Sequence, residues 1–389
     1  MVRRLFPHSS FSVISNGNFR SIGRTRTIVP FGITAKSGKL YQTGDLLRYL
    51  DVSWVENNMD RANSHAITLA ADWLRQGKLV AFPTETVYGL GGDAAQPAAV
   101  ARIFRAKGRP SDHPLIVHLP SAGMLNDWAV DIPQAAWQLA EAFWPGPLTL
   151  ILPRGPLAAD CVTGGLATVG IRVPSHPVAM KLLQAFEGGI AAPSANLFGG
   201  VSPTSAAHVR AEGFDPAEVM ILEGEACEVG LESTIVDLSG KSPAILRPGA
   251  VTAEQIEDVL RLSLRDADEQ SPRCSGRLES HYAPRGAVRI IPQENAADLT
   301  TALRACLSEG LHRVVVIAVP EILATLRNVI PREQQLPAPV ETEVYARELY
   351  ALLREADAVA DVIFIVPPAE VGVGVAIWDR LRKASAPRI

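Results

Sequence analysis

The stretch Leu79-Val80-Ala81-Phe82-Pro83-Thr84-Glu85-Thr86-Val87-Tyr88-Gly89-Leu90-Gly91 decides the fold. Leu79 to Phe82 is an apolar run with the length of a buried strand, and Pro83 stops it because proline has no N–H for a sheet ladder. Just before it, Ala66, Leu69, Ala70, Trp73 and Leu74 recur at helical spacing, with Gly77 as terminator. A helix leading directly into a buried strand is the building unit of an α/β fold. Working outward, a second helix is expected over 97–106, ending before Gly108. Strand-like runs follow at 115–119, 148–152, 168–173, 189–192 and 234–238, and helices fit 134–143, 177–186, 206–211 and 253–262. The elements interleave without strict alternation, which predicts a twisted, mixed sheet.

Residues 266–280 are polar, with Pro272 and Gly276, and read as a linker. Beyond Pro284, strands are expected at 288–291, 314–319 and 362–366, helices over 296–307 and 344–356, and a last helix over 375–383. That order predicts a small open parallel sheet covered by helices. Residues 1–58 lack periodicity and are rich in Ser, Arg, Asn and Gly. They read as a non-catalytic tail: a disordered segment, a transit peptide, or a start placed upstream of Met59. The expected organisation is a tail over 1–58, a catalytic domain over 59–265, a linker over 266–286 and a small domain over 287–389.

Bulk composition narrows the function classes. A hydrophobic content of 47% with 20% charged residues is that of a globular protein with large cores, and 389 residues suggest two or three domains. The longest apolar runs, such as 314–319, fall far short of the roughly 20 residues a spanning helix needs, so no membrane role is expected. The four cysteines are scattered without a C-x-x-C pair, which argues against a zinc site and fits a reduced cytoplasmic setting. The net charge of -4 divides unevenly, because residues 1–58 hold eight Lys/Arg against three Asp/Glu and the remainder 29 against 38. A net-acidic body is poorly suited to bulk nucleic acid, whose binding depends on many phosphate neutralisations. Weak or no direct nucleic-acid binding is expected, and any anionic ligand must be caught by a few placed cations.

Candidate chemistry gathers where strands end. Thr84, Glu85 and Thr86 offer hydroxyls and a carboxylate after the first strand, and the glycines beyond let backbone approach a ligand. Thr and Glu also build caps and turns, so both readings stand. Lys107 and Arg109 lie two apart in Lys107-Gly108-Arg109-Pro110, which on extended backbone projects them to one face. A lysine point charge beside an arginine fork suits polyphosphate. Arg172 and Arg247 each end an apolar run beside a proline, as anchored cations would. Ser194, Asn196 and Ser202 supply polar groups in a glycine-bearing loop, and Ser233 stands at a further polar-to-strand junction. Ser202-Pro203-Thr204 also suits a helix start. No G-x-x-x-x-G-K-[ST], G-x-S-x-G or H-E-x-x-H occurs, which sets aside P-loop, elbow-serine and zinc-protease chemistry. Residue chemistry alone reaches a small polar ligand plus a polyphosphate in an α/β cleft.

In order along residues 64–389 stand PTETVYGLG (83–91), KGRP-x-x-x-PL-x-x-H (107–118), WPGPLTL (144–150), T-V-x-I-R-x-P-x-HP (168–177), APSAN (192–196) with SPT (202–204), ESTIVD (232–237), LRPG (246–249) and HYAP (281–284). These eight strings resemble the YrdC-like family of threonylcarbamoyl-adenylate synthases, in its long form with an extra C-terminal domain. The resemblance implies a YrdC-like twisted mixed-sheet α/β domain followed by a small Rossmann-like open parallel-sheet domain. It implies a nucleotidyltransferase that makes L-threonylcarbamoyl-AMP and pyrophosphate from L-threonine, bicarbonate and ATP, with Mg2+ carried on the ATP phosphates and no protein metal ligands. Downstream proteins then pass the group to adenosine 37 of tRNA. On matching motifs, Thr86, His118, Arg172, Ala192 and Ser233 are the expected threonine pocket. Lys107, Arg109, His113, Thr168, Ser194, Ser202, Arg247 and Tyr282 are the expected ATP side, with Lys107 and Arg109 in the catalytic role.

Two departures stand out. The linker 271–276 lacks the Pro-Gly-Met string common before HYAP, and His113 occupies a position often held by Asn. Competing readings are a carbamoyl-adenylate-forming enzyme, whose relatives carry acylphosphatase and zinc-finger segments missing here, and an RNA-binding module, which the acidic body disfavours.

Overall fold

The computed structural model describes residues 12–14, 32–34, 52–268, 271–276, 279–311 and 313–387. The expected tail over 1–58 lies largely outside the described residues. Within it, β1 (Ser12–Ile14) pairs antiparallel with β2 (Gly32–Thr34). A helix spans Val52–Arg75, starting well before Ala66, where the helical spacing begins. Two compact units result, Met1–Ser64 and His65–Ile389, and the second carries the sheets that matter below.

Among the described residues, ten strands of His65–Ile389 form one sheet in the order β12-β11-β10-β6-β7-β5-β8-β4-β3-β9. They are β3 (Leu79–Phe82), β4 (Gly89–Asp93), β5 (Ile116–His118), β6 (Leu148–Pro153), β7 (Thr168–Arg172), β8 (Ile190–Ala191), β9 (Val219–Ile221), β10 (Thr234–Asp237), β11 (Ala244–Arg247) and β12 (Arg265–Asp266). The sheet is mixed as expected: β5 runs parallel to β7, whereas β6 and β8 run antiparallel to β7 and β5. The helices Gln134–Phe143, Pro177–Phe186 and Ala206–Ala211 fall on their expected spans. One apolar core packs Leu90, Val117, Leu150 and Ile171 against Ile103 and Leu139. Another covers Val80, Phe82 and Ile190 with Leu74, Leu182 and Leu183. Each helix thus buries its apolar stripe on the sheet, the arrangement that the helical spacing demanded.

β4 is a strand that the sequence reading did not assign. Its Gly-Leu-Gly-Gly-Asp sequence has none of the β-branched side chains that mark strands. It forms a strand because bulky neighbours need its bare backbone. A Cβ on Gly91 would lie 2.7 Å from both Ile190 Cγ2 and Phe82 Cε1.

The remainder of the unit holds a second, four-stranded sheet in the order β13-β16-β14-β15, all parallel. Its strands are β13 (Ala287–Ile290), β14 (Val314–Ala318), β15 (Gln335–Pro337) and β16 (Val362–Ile365). Three were expected; β15 was missed because Gln-Leu-Pro has no strand signature, although it pairs with β14 and packs Leu336 on the core. The helices Thr342–Asp357 and Gly374–Ser385 cover this sheet. Their core is continuous with the first sheet's loops: Val87, Val201, Leu231 and Tyr282 pack into one cluster with Tyr345, Tyr350 and Ile377.

Candidate active site

The loop after β3 is both a turn and a wall. Thr84 Oγ1 accepts from the N–H groups of Thr86 and Val87, each at 3.2 Å, and donates to Val87 O at 2.7 Å. That local closure leaves Glu85 and Thr86 to face inward, and both are buried. The parallel register of β5 and β7 sets His118 directly beside Arg172. Arg172 is then held on three sides: Nε donates to Gly146 O at 3.2 Å, Nη1 donates to Thr86 Oγ1 at 2.8 Å, and Nη2 pairs with Glu85 Oε1 at 2.8 Å. The Trp144-Pro145-Gly146-Pro147 turn therefore helps aim an arginine.

Titration separates these groups. Burial, followed by the Arg172 charge, pushes His118 down to about 3, so at neutral pH its imidazole is uncharged. Such a ring accepts a hydrogen bond but stores a proton poorly, which weakens it as the base for an ammonium. Burial pushes the Glu85 carboxyl up, yet the Arg172 charge and hydrogen bond outweigh it and the net shift is downward.

The phosphate-side candidates divide. Arg109, Ser194, Arg247 and Tyr282 line the same cavity as Thr86, His118, Arg172, Ala192 and Ser233. Arg247 donates from Nε and Nη2 to Ser233 O at 3.1 and 2.9 Å, and from Nη1 to Ser275 O at 3.1 Å. Ser233 Oγ lies 2.7 Å from Thr149 Oγ1. Lys107, His113, Thr168 and Ser202 do not line that cavity. Lys107 is the last residue of the helix Pro97–Lys107, and Gly108 (φ +63°) reverses the backbone before Arg109. Only Arg109 of the two therefore lines the cavity, contrary to the extended-chain expectation that both share one face. Lys107 Nζ donates to the carbonyls of Ser194 and Asn196, tying the Ala192–Asn196 loop down. Burial, followed by Arg109, lowers this lysine to about 7. His113 packs edge-on against Phe198, with centroids 5.6 Å apart. Thr168 opens β7 opposite Pro153, at the far end of the strand from Arg172. Ser202 Oγ donates to Glu232 Oε1 at 2.6 Å, and the following helix is capped by Ser205 rather than by Ser202.

Sequence reasoning gave no role to Glu232, His281, Ser275 or Gly276, all of which line the cavity. The last three belong to the linker, which roofs it. Ser275 Oγ donates to Pro114 O at 3.1 Å, and Tyr282 (φ +60°) turns its ring inward, 1% exposed. Beneath this roof the cavity holds about 50 Å³, too little for an amino acid and a nucleotide together. Ile116 and His118, two apart on β5, both reach it, so it lies over a face of the sheet.

Buried polar atoms normally find partners. Among the described residues, Arg109 Nε, His118 Nδ1, His281 Nδ1 and Tyr282 Oη lack a hydrogen-bond partner, and all four side chains wall this one cavity beside the Glu85-paired Arg172. Three arginines face it against the carboxylate of Glu232, an arrangement suited to a polyanion. Among the described residues no cluster of three or more His, Cys, Asp and Glu side chains is placed to hold a metal ion. No described helix is long and apolar enough to cross a membrane.

Known proteins resemble this chain along both parts. A family profile described as "Telomere recombination" matches residues 72–249, and one described as "Threonylcarbamoyl-AMP synthase, C-terminal domain" matches residues 251–386. A threonylcarbamoyl-AMP synthase of Pyrococcus abyssi is 41% identical over 341 residues, covering 86% of this chain and 98% of the relative. One of Bacillus subtilis is 41% identical over 335 residues, covering 84% and 95%. The crystal structure of P. abyssi Sua5 complexed with L-threonine superposes with a TM-score of 0.75 at 40% identity, over 82% of this chain and 94% of that one.

Proposed function

Because the chain belongs to the threonylcarbamoyl-AMP synthase family, we propose that it makes L-threonylcarbamoyl-AMP, pyrophosphate and water from L-threonine, bicarbonate and ATP. The observation that carries this reading is the cavity in which Arg172, Arg109 and Arg247 converge with unpartnered polar atoms. Arg172, anchored through Nη2 on Glu85 and lining the cavity, offers its remaining N–H capacity to a threonine carboxylate, flanked by Thr86 and the neutral His118 ring. The amine then adds to the bicarbonate-derived carbon, and a carbamate oxygen displaces pyrophosphate at the α-phosphorus. Arg109 and Arg247 stabilise the charge gathering on the departing phosphates. Positioning and electrostatics supply the rate, with no covalent intermediate on the protein.

In this reading Mg2+ enters on the ATP phosphates rather than as a resident ion. Lys107 acts by fixing the loop that carries Ser194. Residues 59–265 form the catalytic part, the described linker residues 271–276 and 279–286 a roof that must lift to admit substrates, and 287–389 the small domain to which the roof is attached. The acceptor is a downstream tRNA-modifying protein, and four free cysteines accord with the cytoplasm. The test is incubation with ATP, L-threonine and labelled bicarbonate. The reading requires an AMP ester carrying both the label and threonine, and fails if AMP appears without it.

A further inference from the structure

Glu232, next to Ser233, is wholly partnered by groups from elsewhere. Oε1 accepts from Ser202 Oγ at 2.6 Å. Oε2 accepts from Tyr350 Oη and from Arg380 Nε, each at 2.8 Å. Tyr350 lies on the helix Thr342–Asp357 and Arg380 on the helix Gly374–Ser385, so both donors come from the layer covering the four-stranded sheet. Arg380 is fully buried, pairs through Nη1 with Asp379 at 2.6 Å, and sits 5.4 Å from the centroid of the Tyr282 ring. One guanidinium therefore touches both the loop that carries Ser233 and the linker tyrosine roofing the cavity.

A buried ion pair contributes little net stability compared with apolar packing of the same volume. What it fixes is geometry, and the geometry here bears on the proposed substrates. Glu232 leads directly into Ser233, whose carbonyl accepts from Arg247 and whose hydroxyl lies 3.1 Å from Arg247 Nη2. Burial pushes Glu232 up, but the charges of Arg380 and Arg247 bring it down to about 2, so it remains an anion for Arg380 and Tyr350 to grip.

We propose that Arg380 and Tyr350 are positioning residues for the reaction: by gripping Glu232 they hold Ser233 and Tyr282 in register with Arg172 and Arg247. This rests on the functional reading above. It assigns the small domain a share in shaping the threonine pocket, beyond roofing it.

The test is calorimetric titration of L-threonine into the full chain and into Tyr350→Phe, Arg380→Lys and Arg380→Met, with thermal unfolding measured alongside. Tyr350→Phe keeps the ring and removes only a donor. It is expected to move the unfolding midpoint by less than about 4 °C while weakening threonine on the order of five-fold. Arg380→Lys is expected to retain more affinity than Arg380→Met, because it keeps the charge. Equal affinity in all four proteins overturns the proposal, as does a loss of affinity that only follows a loss of stability and is the same in both Arg380 variants. Failure of the unmodified chain to bind L-threonine overturns the functional reading instead, and this proposal with it.

Discussion

Glu85 Oε1 stands 2.8 Å from Arg172 Nη2, with the two side chains only 4% and 5% exposed. The pair closes one wall of the cavity and connects the loop after β3 to the end of β7. In the proposed function it keeps a buried guanidinium ready for the threonine carboxylate. Glu85 balances the charge, Thr86 and Gly146 fix the plane, and the remaining N–H capacity is held in reserve.

Arg172→Ala should separate the two substrates. Loss of a charged hydrogen bond costs about 1.5–3 kcal/mol, or roughly ten-fold or more in affinity. Titration of each ligand should therefore find threonine weakened by that much and ATP nearly unchanged. Equal weakening of both would remove Arg172 from the threonine side.

Glu85→Gln should leave Arg172 uncompensated and lower stability at neutral pH by about 3 kcal/mol. Since the folded carboxyl titrates below its usual 4.5, its contribution is full above that value and disappears as pH falls through the depressed folded value. Denaturant unfolding at stepped pH should accordingly show wild type and variant converging in acid.

Lys107 gives a slope of the same sign in a different, alkaline window. Its folded value of about 7 lies below the ordinary 10.5, so between those limits the unfolded chain binds the extra proton. Stability should therefore rise with pH across that window in wild type relative to Lys107→Met. A flat difference would mean that the buried amine does not titrate there.

Gly276→Ala should disturb the roof without disturbing the cores. Gly276 has φ +82°, and a Cβ there would sit 2.2 Å from Tyr282 Oη, the end of a rigid, buried ring. Adenylate formation should fall by about ten-fold or more while far-UV dichroism stays unchanged, with overpacking costing on the order of 1–3 kcal/mol. Full activity would show that Tyr282 can move aside freely.

Much of this was legible before any coordinates. The apolar runs at Leu79–Phe82 and Val314–Ala318 place themselves, because burial leaves its mark on composition. All five residues expected on the threonine side do meet at one cavity. What escaped did so for physical reasons. β4 escaped because glycine carries no propensity signal, and its value lies in the space left to Phe82 and Ile190. The different placement of Lys107 and Arg109 escaped because it depends on one left-handed glycine between them. The Glu232–Arg380 contact joins residues 148 apart, and no local pattern encodes a pairing at that distance.

The central claim is most directly tested by pyrophosphate release from ATP in bicarbonate buffer as L-threonine is titrated. The account predicts release that rises with L-threonine and saturates, with other amino acids far less effective. Release that is indifferent to L-threonine, or equal with any amino acid, would contradict it.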